Sequence, residues 1–330
     1  MVNAPIRTMN TPPDSESSRQ LRTTRLADDD APPFPNPAPE LYPFTPRLAI
    51  RRGLRMSYLD EGRGEPVVML HGNPTWSFYY RQLVLHLRDS FRCIVPDHIG
   101  CGLSDKPTLA AYDYSLASRI NDLEWLLDER GLSENLTLIL HDWGGMIGMA
   151  FAARYPQRIK RIVAMNTAAF PLPASAKLPW SLWLGRNTRL GAWLITHRNA
   201  FCQLAAKWCV ARQPLTAAVK AAYLAPYDRP EHRLAVLKFV QTIPLKPADP
   251  GFDIVQATAA ALPQFRTTPT LLLWGMKDFV FDHHFLAEWQ RYFPHAEVHT
   301  WPDCGHYLLE DAGERAILRI WEFLQRDSVL

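Results

Sequence analysis

Short apolar runs alternate with amphipathic segments along most of the chain. Eight runs have the length and β-favouring composition of strands, and they cover residues 47–51, 55–60, 66–70, 91–95, 135–141, 159–166, 270–274 and 297–301. Helical periodicity fills several of the intervals, at residues 77–88, 114–130, 144–155, 283–292 and 314–325. The first two strands form an antiparallel pair around Gly53. The alternation predicts an α/β fold with a mostly parallel eight-stranded sheet and helices on both faces.

The alternation is interrupted after Asn166 and resumes only at Thr270. The interval contains helical apolar segments separated by prolines, so residues 170–250 are predicted to form an inserted helical cap over the carboxyl ends of the strands. Residues 41–169 and 251–330 then form the core. Residues 1–40 are polar and proline-rich, and they are predicted to be an extension that is disordered or loosely draped over the fold and has no catalytic role.

The amino-acid composition argues against several classes of protein, including nucleic-acid-binding, disulfide-rich and membrane-spanning proteins. Of the 330 residues, 47% are hydrophobic and 21% charged, which is typical of a globular protein, and the net charge of +3 does not favour nucleic acid. The five cysteines are scattered without C-x-x-C pairs, so neither a disulfide framework nor a zinc site is expected. No apolar run has the length of a signal peptide core or a membrane span. We expect a cytoplasmic protein.

The cap has an unusual distribution of charge. Between Phe170 and Tyr227 the sequence has no Asp or Glu, and its seven cations are Lys177, Arg186, Arg189, Arg198, Lys207, Arg212 and Lys220. Tryptophans are interspersed among them. The pattern fits a solvated basic face, and it also fits a surface for a lipid-like substrate, an anionic membrane or an acidic partner.

The fifth strand leads into a helix through His141-Asp142-Trp143-Gly144-Gly145. A sharp strand-to-helix turn exposes its corner residue, and the usual pattern of such an elbow is G-x-S-x-G. Here Asp142 replaces the serine and Leu140 the first glycine. A carboxylate can attack carbon without an activating base, which makes Asp142 a candidate nucleophile. An N-cap aspartate is the alternative.

A nucleophilic Asp142 needs partners at the ends of later strands. His306 follows the last strand, where a base for water belongs, and the order nucleophile, acid, histidine supports a catalytic part. Asp278 follows the preceding strand and is predicted to orient His306; Asp282 is its competitor. Asn166 occupies the other position for the acid, but it has no carboxylate.

The leaving group needs hydrogen-bond donors. Asn73 can offer its side-chain amide and Trp143 its indole N–H, and their backbone N–H groups can form an oxyanion hole. The alternative for Asn73 is a structural role in the turn before Pro74, and the alternative for Trp143 is packing in the core.

From about Leu41 onwards the chain resembles the haloalkane dehalogenases of the α/β-hydrolase superfamily, on the motifs HGNP (71–74) and HDWGG (141–145) with Asp278 and His306. It resembles still more closely the β-lactone decarboxylases of the OleB type in bacterial long-chain olefin biosynthesis. That resemblance rests on LYPFTPR (41–47), PDHIGCGLSDKP (96–107), NTAAFPLP (166–173), NAF (199–201) and YLAPYD (223–228).

The resemblance implies an α/β-hydrolase fold, an Asp142 nucleophile with His306 and Asp278, donors from Asn73 and Trp143, and no metal or organic cofactor. It further implies decarboxylation of a cis-dialkyl-β-lactone to a cis-olefin, and assembly with other olefin-pathway enzymes. Haloalkane dehalogenation is the main alternative. An epoxide hydrolase would need two cap tyrosines, for which Tyr223 and Tyr227 are the candidates. A non-catalytic ligand-binding or scaffold protein is the alternative from another class.

Overall fold

The computed structural model describes residues 34–326, and one eight-stranded sheet organises them. Its strands are β1 (Arg47–Arg51), β2 (Leu54–Glu61), β3 (Pro66–Leu70), β4 (Arg92–Pro96), β5 (Leu136–Asp142), β6 (Ile159–Thr167), β7 (Thr270–Gly275) and β8 (Glu297–Trp301). Their order across the sheet is β1-β2-β4-β3-β5-β6-β7-β8. Only the β1–β2 and β2–β4 pairs are antiparallel. The predicted fold class is confirmed.

Twelve α-helices lie within the described residues. They are α1 (Arg81–Leu87), α2 (Leu116–Glu129), α3 (Trp143–Arg154), α4 (Trp180–Asn187), α5 (Arg189–Arg198), α6 (Ala200–Trp208), α7 (Ala217–Leu224), α8 (Leu234–Gln241), α9 (Phe252–Ala261), α10 (His283–Tyr292), α11 (Leu308–Asp311) and α12 (Glu314–Gln325). Within residues 34–326, none of these helices is both long and apolar enough to cross a bilayer.

The sheet separates two apolar layers because side chains alternate between its faces. On one face Leu138 and Leu140 of β5 pack with α2, α3, α9 and α10. On the other, Ile139 of β5 packs with Leu83 of α1 and Ile320 of α12. Every residue of β5 is buried, as expected for a central parallel strand. The elbow at the end of β5 is therefore supported from both sides.

Five helices, α4 to α8, lie between β6 and α9 in the segment predicted as the cap. Helix α9 was not recognised in the sequence. It packs against α3, and its Val255 belongs to the core beside the sheet. The boundaries at residues 170 and 250 stay predictions, although α9 lies in the core segment as they require.

The predicted extension, residues 1–40, lies largely outside the described part of the chain, which begins at Phe34. Residues 34–40 make specific contacts. The ring of Phe34 meets that of His232 edge to face at 4.9 Å, and the Lys106 ammonium lies 3.6 Å from the Phe34 ring centroid. The Asn36 amide donates to the carbonyl oxygen of Tyr42. These contacts join the end of the extension to the fold.

Candidate active site

Asp142 is the last residue of β5, and α3 begins immediately after it. Its φ of 51° and ψ of −126° are costly for a residue with a side chain, so surrounding packing must maintain the turn. A Cβ added to Gly144 would lie 2.0 Å from the carbonyl oxygen of Leu70, and one added to Gly145 would lie 2.0 Å from Oγ1 of Thr167. The two glycines therefore allow α3 to approach the sheet closely enough to form the elbow.

The Asp142 carboxylate is held by groups from two other loops. The backbone N–H of Asn73 donates to Oδ1 at 2.7 Å, and Nε2 of His306 lies 3.4 Å from Oδ2. Asp142 occupies the N-cap position of α3, but its side chain makes no capping bond to that helix, so its carboxylate is directed elsewhere. Burial alone would raise the pKa of Asp142, but the hydrogen bond and charge of His306 outweigh it and lower the pKa. The carboxylate is ionised and available for attack.

His306 joins Asp142 to a second carboxylate. Its Nδ1 lies 2.7 Å from Oδ2 of Asp278, whose other oxygen accepts from the backbone N–H of Val280 at 2.7 Å. The competitor Asp282 instead caps α10 by accepting from the N–H of His284. The structure thus places Asp278, and not Asp282, beside His306.

The charge on His306 follows from these neighbours. Burial alone would lower the pKa of His306, but the Asp278 carboxylate, followed by Asp142, raises it to about 10. The imidazole is therefore cationic near neutral pH. Its neighbour His141 donates from Nε2 to the backbone carbonyl of His306 at 2.8 Å, and burial together with the His306 charge lowers the pKa of His141 to about 3. One ring of the pair is charged and the other neutral.

Asn166 occupies the alternative position for the acid that orients His306, and its side chain has a structural role there. Its amide donates to the carbonyl oxygen of Gly275 at 3.1 Å, and its Oδ1 accepts from the N–H of Gly275 at 2.8 Å. These two bonds tie the end of β6 to the end of β7. They fix the start of the loop that carries Asp278.

Asn73 and Trp143 both border the cavity beside Asp142. The Asn73 amide donates to the carbonyl oxygen of Val236 in α8 at 3.1 Å, which leaves its second amide hydrogen for a ligand. Its backbone N–H differs from the expectation, since it donates to the nucleophile rather than lining an oxyanion hole. The five predicted residues are thus brought together, and their catalytic roles stay predictions.

The cavity above the carboxylate has a volume of about 270 Å³ and is enclosed by the cap. The segment predicted as the cap contributes most of its wall, through side chains such as Leu184, Leu194, Phe201 and Val240. Apart from Asn73, Asp142 and His306 at its base, the lining is mostly apolar. Such a site favours a ligand with alkyl substituents around one reactive polar centre.

Three residues that position the site were not recognised in the sequence. A Cβ on Gly72 would lie 1.9 Å from Oδ1 of Asp142, so glycine is needed beside the nucleophile. The Asp311 carboxylate accepts from the N–H groups of Gly305, next to His306, and of Ala211, after α6. His141 supports the backbone of His306. For Gly72 and His141 the sequence offered one signal, since each is adjacent to a predicted site residue, Asn73 or Asp142. For Asp311 it offered none.

The two cap tyrosines required by an epoxide hydrolase do not line the cavity. The hydroxyl of Tyr223 bonds to Glu310, and that of Tyr227 donates to the carbonyl oxygen of Thr75. Neither hydroxyl is directed at Asp142. The structure therefore gives no support to the epoxide-hydrolase alternative.

Comparison with known proteins identifies a matching family, similar sequences and similar solved structures. Residues 65–313 match the α/β-hydrolase fold family. Over 290 residues the chain is 53% identical to a cis-3-alkyl-4-alkyloxetan-2-one decarboxylase of Shewanella oneidensis, covering 88% of this chain and 91% of that one. A decarboxylase of the same name from Xanthomonas campestris is 49% identical over 296 residues, covering 87% and 98%. The fold is similar to the solved haloalkane dehalogenase DatA of Agrobacterium tumefaciens, with a TM-score of 0.76, 25% identity and coverage of 85% and 96%.

Proposed function

The chain belongs to the α/β-hydrolase fold family and, within it, to the cis-3-alkyl-4-alkyloxetan-2-one decarboxylases, and we propose that it converts a cis-dialkyl-β-lactone to a cis-olefin and carbon dioxide. The observation that carries this proposal at the site is an ionised, buried carboxylate facing an apolar cavity. A strained four-membered lactone with two alkyl chains offers such a carboxylate an electrophilic carbon in apolar surroundings.

In the first step Asp142 attacks the alkyl-bearing ring carbon that is bonded to the ring oxygen, not the carbonyl carbon. A carbon–oxygen bond forms to Asp142 while the ring bond from the same carbon to oxygen breaks, and that carbon is inverted. The ring oxygen becomes part of a free carboxylate. The second amide hydrogen of Asn73 and the indole N–H of Trp143, both beside Asp142, supply donors for this new charge.

In the second step the alkyl ester breaks down by anti elimination. The bond to the carboxylate carbon breaks, its electron pair forms the double bond, and Asp142 leaves with the electrons of the ester bond. Carbon dioxide and olefin are released, and no proton or water is consumed. Inversion followed by anti elimination converts a cis lactone to a cis olefin.

Cationic His306 assists the departure of Asp142. Its Nε2 lies 3.4 Å from Asp142 Oδ2, where negative charge returns as the ester breaks. Among the neighbouring groups, Asp278 contributes most to the raised pKa of His306. A protonated imidazole cannot remove a proton from water, so it favours elimination over hydrolysis of the ester.

Haloalkane dehalogenation is the second candidate because the overall structure is similar to that of DatA. Asp142 would displace halide, and His306 would have to lose its proton to activate water at the ester. The two reactions share the first displacement and differ in how the ester is resolved.

The test is to supply purified protein, in parallel, with a synthetic cis-dialkyl-β-lactone and with 1-bromobutane or 1,2-dibromoethane. Olefin is measured by gas chromatography and bromide by a halide assay. We expect olefin with little bromide, and both signals lost in Asp142→Asn. Rapid bromide release without olefin would assign the chain to dehalogenation. Tight lactone binding without either product would support the non-catalytic alternative.

The proposal extends to the cellular location of the enzyme and to its partners. All five cysteines are free and buried, which is the state that a reducing cytoplasm maintains. This supports the proposal of a cytoplasmic location. Assembly with other enzymes of olefin biosynthesis stays a prediction.

A further inference from the structure

The cap exposes a group of large apolar side chains. Helices α4, α5 and α6 pack in succession, α4 on α5 and α5 on α6. We call their exposed large apolar residues the cap face: Trp180, Trp183, Leu190, Trp193, Leu204 and Trp208. The exposed fractions of the four tryptophans are 75%, 54%, 46% and 50% in chain order. Large exposed apolar groups concentrated in this way mark a surface that contacts something other than water.

Unpaired positive charge surrounds the cap face. Two of the seven cap cations are neutralised, since Arg186 pairs with Asp249 and Arg212 with Asp303. Four others are exposed and have no acidic partner within residues 34–326, and these are Lys177, Arg189, Arg198 and Lys207. The whole chain carries a net charge of only +3, so the chain outside residues 170–227 is net acidic. The excess positive charge is thus concentrated in the segment that contains the cap face.

The cap face is continuous with the cavity above Asp142. Trp180, Leu204 and Trp208 are exposed on the cap, and the same three side chains line the cavity. Lys177 is exposed and lines the cavity as well. The way into the site therefore opens among the tryptophans and cations of the cap.

We propose that the cap face docks on an anionic lipid bilayer and that substrate enters the cavity, and product leaves it, through that contact. Tryptophan rings favour the boundary between headgroups and acyl chains, and lysine and arginine are attracted by anionic headgroups. The route for substrate rests on the proposed function, because a lactone with two alkyl chains partitions into lipid. The docking itself rests on the exposed residues alone.

An acidic protein is the competing occupant, and the composition of the cap face favours lipid. An acidic protein would complement the four cations but would not require four tryptophans on three helices, each about half exposed or more. A bilayer satisfies both groups at once, because charge lies at the headgroup level and apolar volume below it.

The test measures flotation of the full chain with vesicles of phosphatidylcholine, with or without 30% phosphatidylglycerol. One variant removes charge, Arg198→Gln with Lys207→Gln, and another removes apolar surface, Trp183→Gln with Trp193→Gln. None of these four residues lines the cavity. Matched controls outside the cap alter exposed residues of the same kinds: Arg63→Gln with Arg266→Gln, and Ile50→Gln with Leu109→Gln.

We expect the wild-type chain to float with anionic vesicles and to sediment with neutral ones. Removing two cations should weaken binding about 30-fold, since each contributes about a fivefold factor near an anionic surface. The tryptophan variant should also lose binding, and both controls should bind like wild type. Failure of the wild-type chain to float, or equal losses in the controls, would overturn the proposal. Binding to soluble polyglutamate without vesicle binding would also overturn it, in favour of an acidic partner.

A short-chain, water-miscible cis-lactone separates docking from catalysis. Each cap variant should form olefin from it at the wild-type rate, since this substrate needs no bilayer. A protein that floats but forms no olefin would overturn the proposed function and leave docking in place. A protein that forms olefin but does not float would overturn docking and leave the proposed function in place.

Discussion

Replacement of Asp278 by asparagine removes the carboxylate that keeps His306 charged. The two side chains form a fully buried contact of 2.7 Å between Oδ2 and Nδ1. A hydrogen bond to a charged group contributes about 1.5–3 kcal/mol, and one pKa unit corresponds to about 1.4 kcal/mol. Asp278→Asn should therefore lower the pKa of His306 by about one to two units from its value of about 10.

The direction of the pH effect follows from the sign of this shift. The active, cationic form of His306 predominates below its folded pKa, so wild-type olefin formation should decline only as pH rises through about 10. In Asp278→Asn the same decline should occur one to two units lower. The assay is the pH profile of initial olefin release from a cis-lactone, together with NMR titration of the His306 ring.

The control is Asp282→Asn. Asp282 is four residues away, caps α10, and does not contact His306; asparagine is an equally good N-cap. Its pH profile should match wild type. An unchanged profile in Asp278→Asn, or the same shift in both variants, would refute the assignment of Asp278 as the group that charges His306.

Three other substitutions test separate parts of the site and its support. Asp142→Asn should reduce olefin formation by about 10⁴-fold or more, measured by gas chromatography, with an unchanged circular dichroism spectrum, because an amide cannot replace the nucleophile. Gly72→Ala would place a Cβ 1.9 Å from Asp142 Oδ1. The displaced carboxylate should lower kcat about 100-fold, and an unchanged kcat would contradict this reading. Arg81→Ala leaves the partly buried Glu310 carboxylate without its cation, because Nη1 of Arg81 lies 2.5 Å from Oε1 of Glu310. Urea unfolding should show a loss of about 3–5 kcal/mol, whereas a loss below about 1 kcal/mol would mean that the pair is effectively solvated.

Most strands were predictable because they are short, largely apolar runs with clear ends. Strand β5 was expected at residues 135–141 and is found at Leu136–Asp142, and the expected elbow follows it. One of the two departures from the usual elbow pattern, Leu140 in place of the first glycine, has a local explanation. A Cβ on Gly148 would lie 2.4 Å from Cδ2 of Leu140, so a glycine one turn into α3 provides the space that Leu140 requires.

Contacts between distant loops were not predictable from one sequence. The donation of the Asn73 backbone N–H to Asp142 joins residues that are 69 positions apart, and its direction depends on the turn after β3. The bonds from Asp311 to Gly305 and Ala211 depend on how the cap meets the core. Residue type indicated which groups react, whereas tertiary packing decided which backbone groups hold them.

The central claim is that an ester on Asp142 is resolved by elimination, without water. The measurement that tests it most directly is multiple turnover of a cis-lactone in ¹⁸O-water, with mass spectrometry of the organic products and of the peptide that contains Asp142. The account predicts cis-olefin as the product and no ¹⁸O in the Asp142 carboxylate. A β-hydroxy acid together with ¹⁸O in Asp142 would show that water opens the ester, and it would contradict the account.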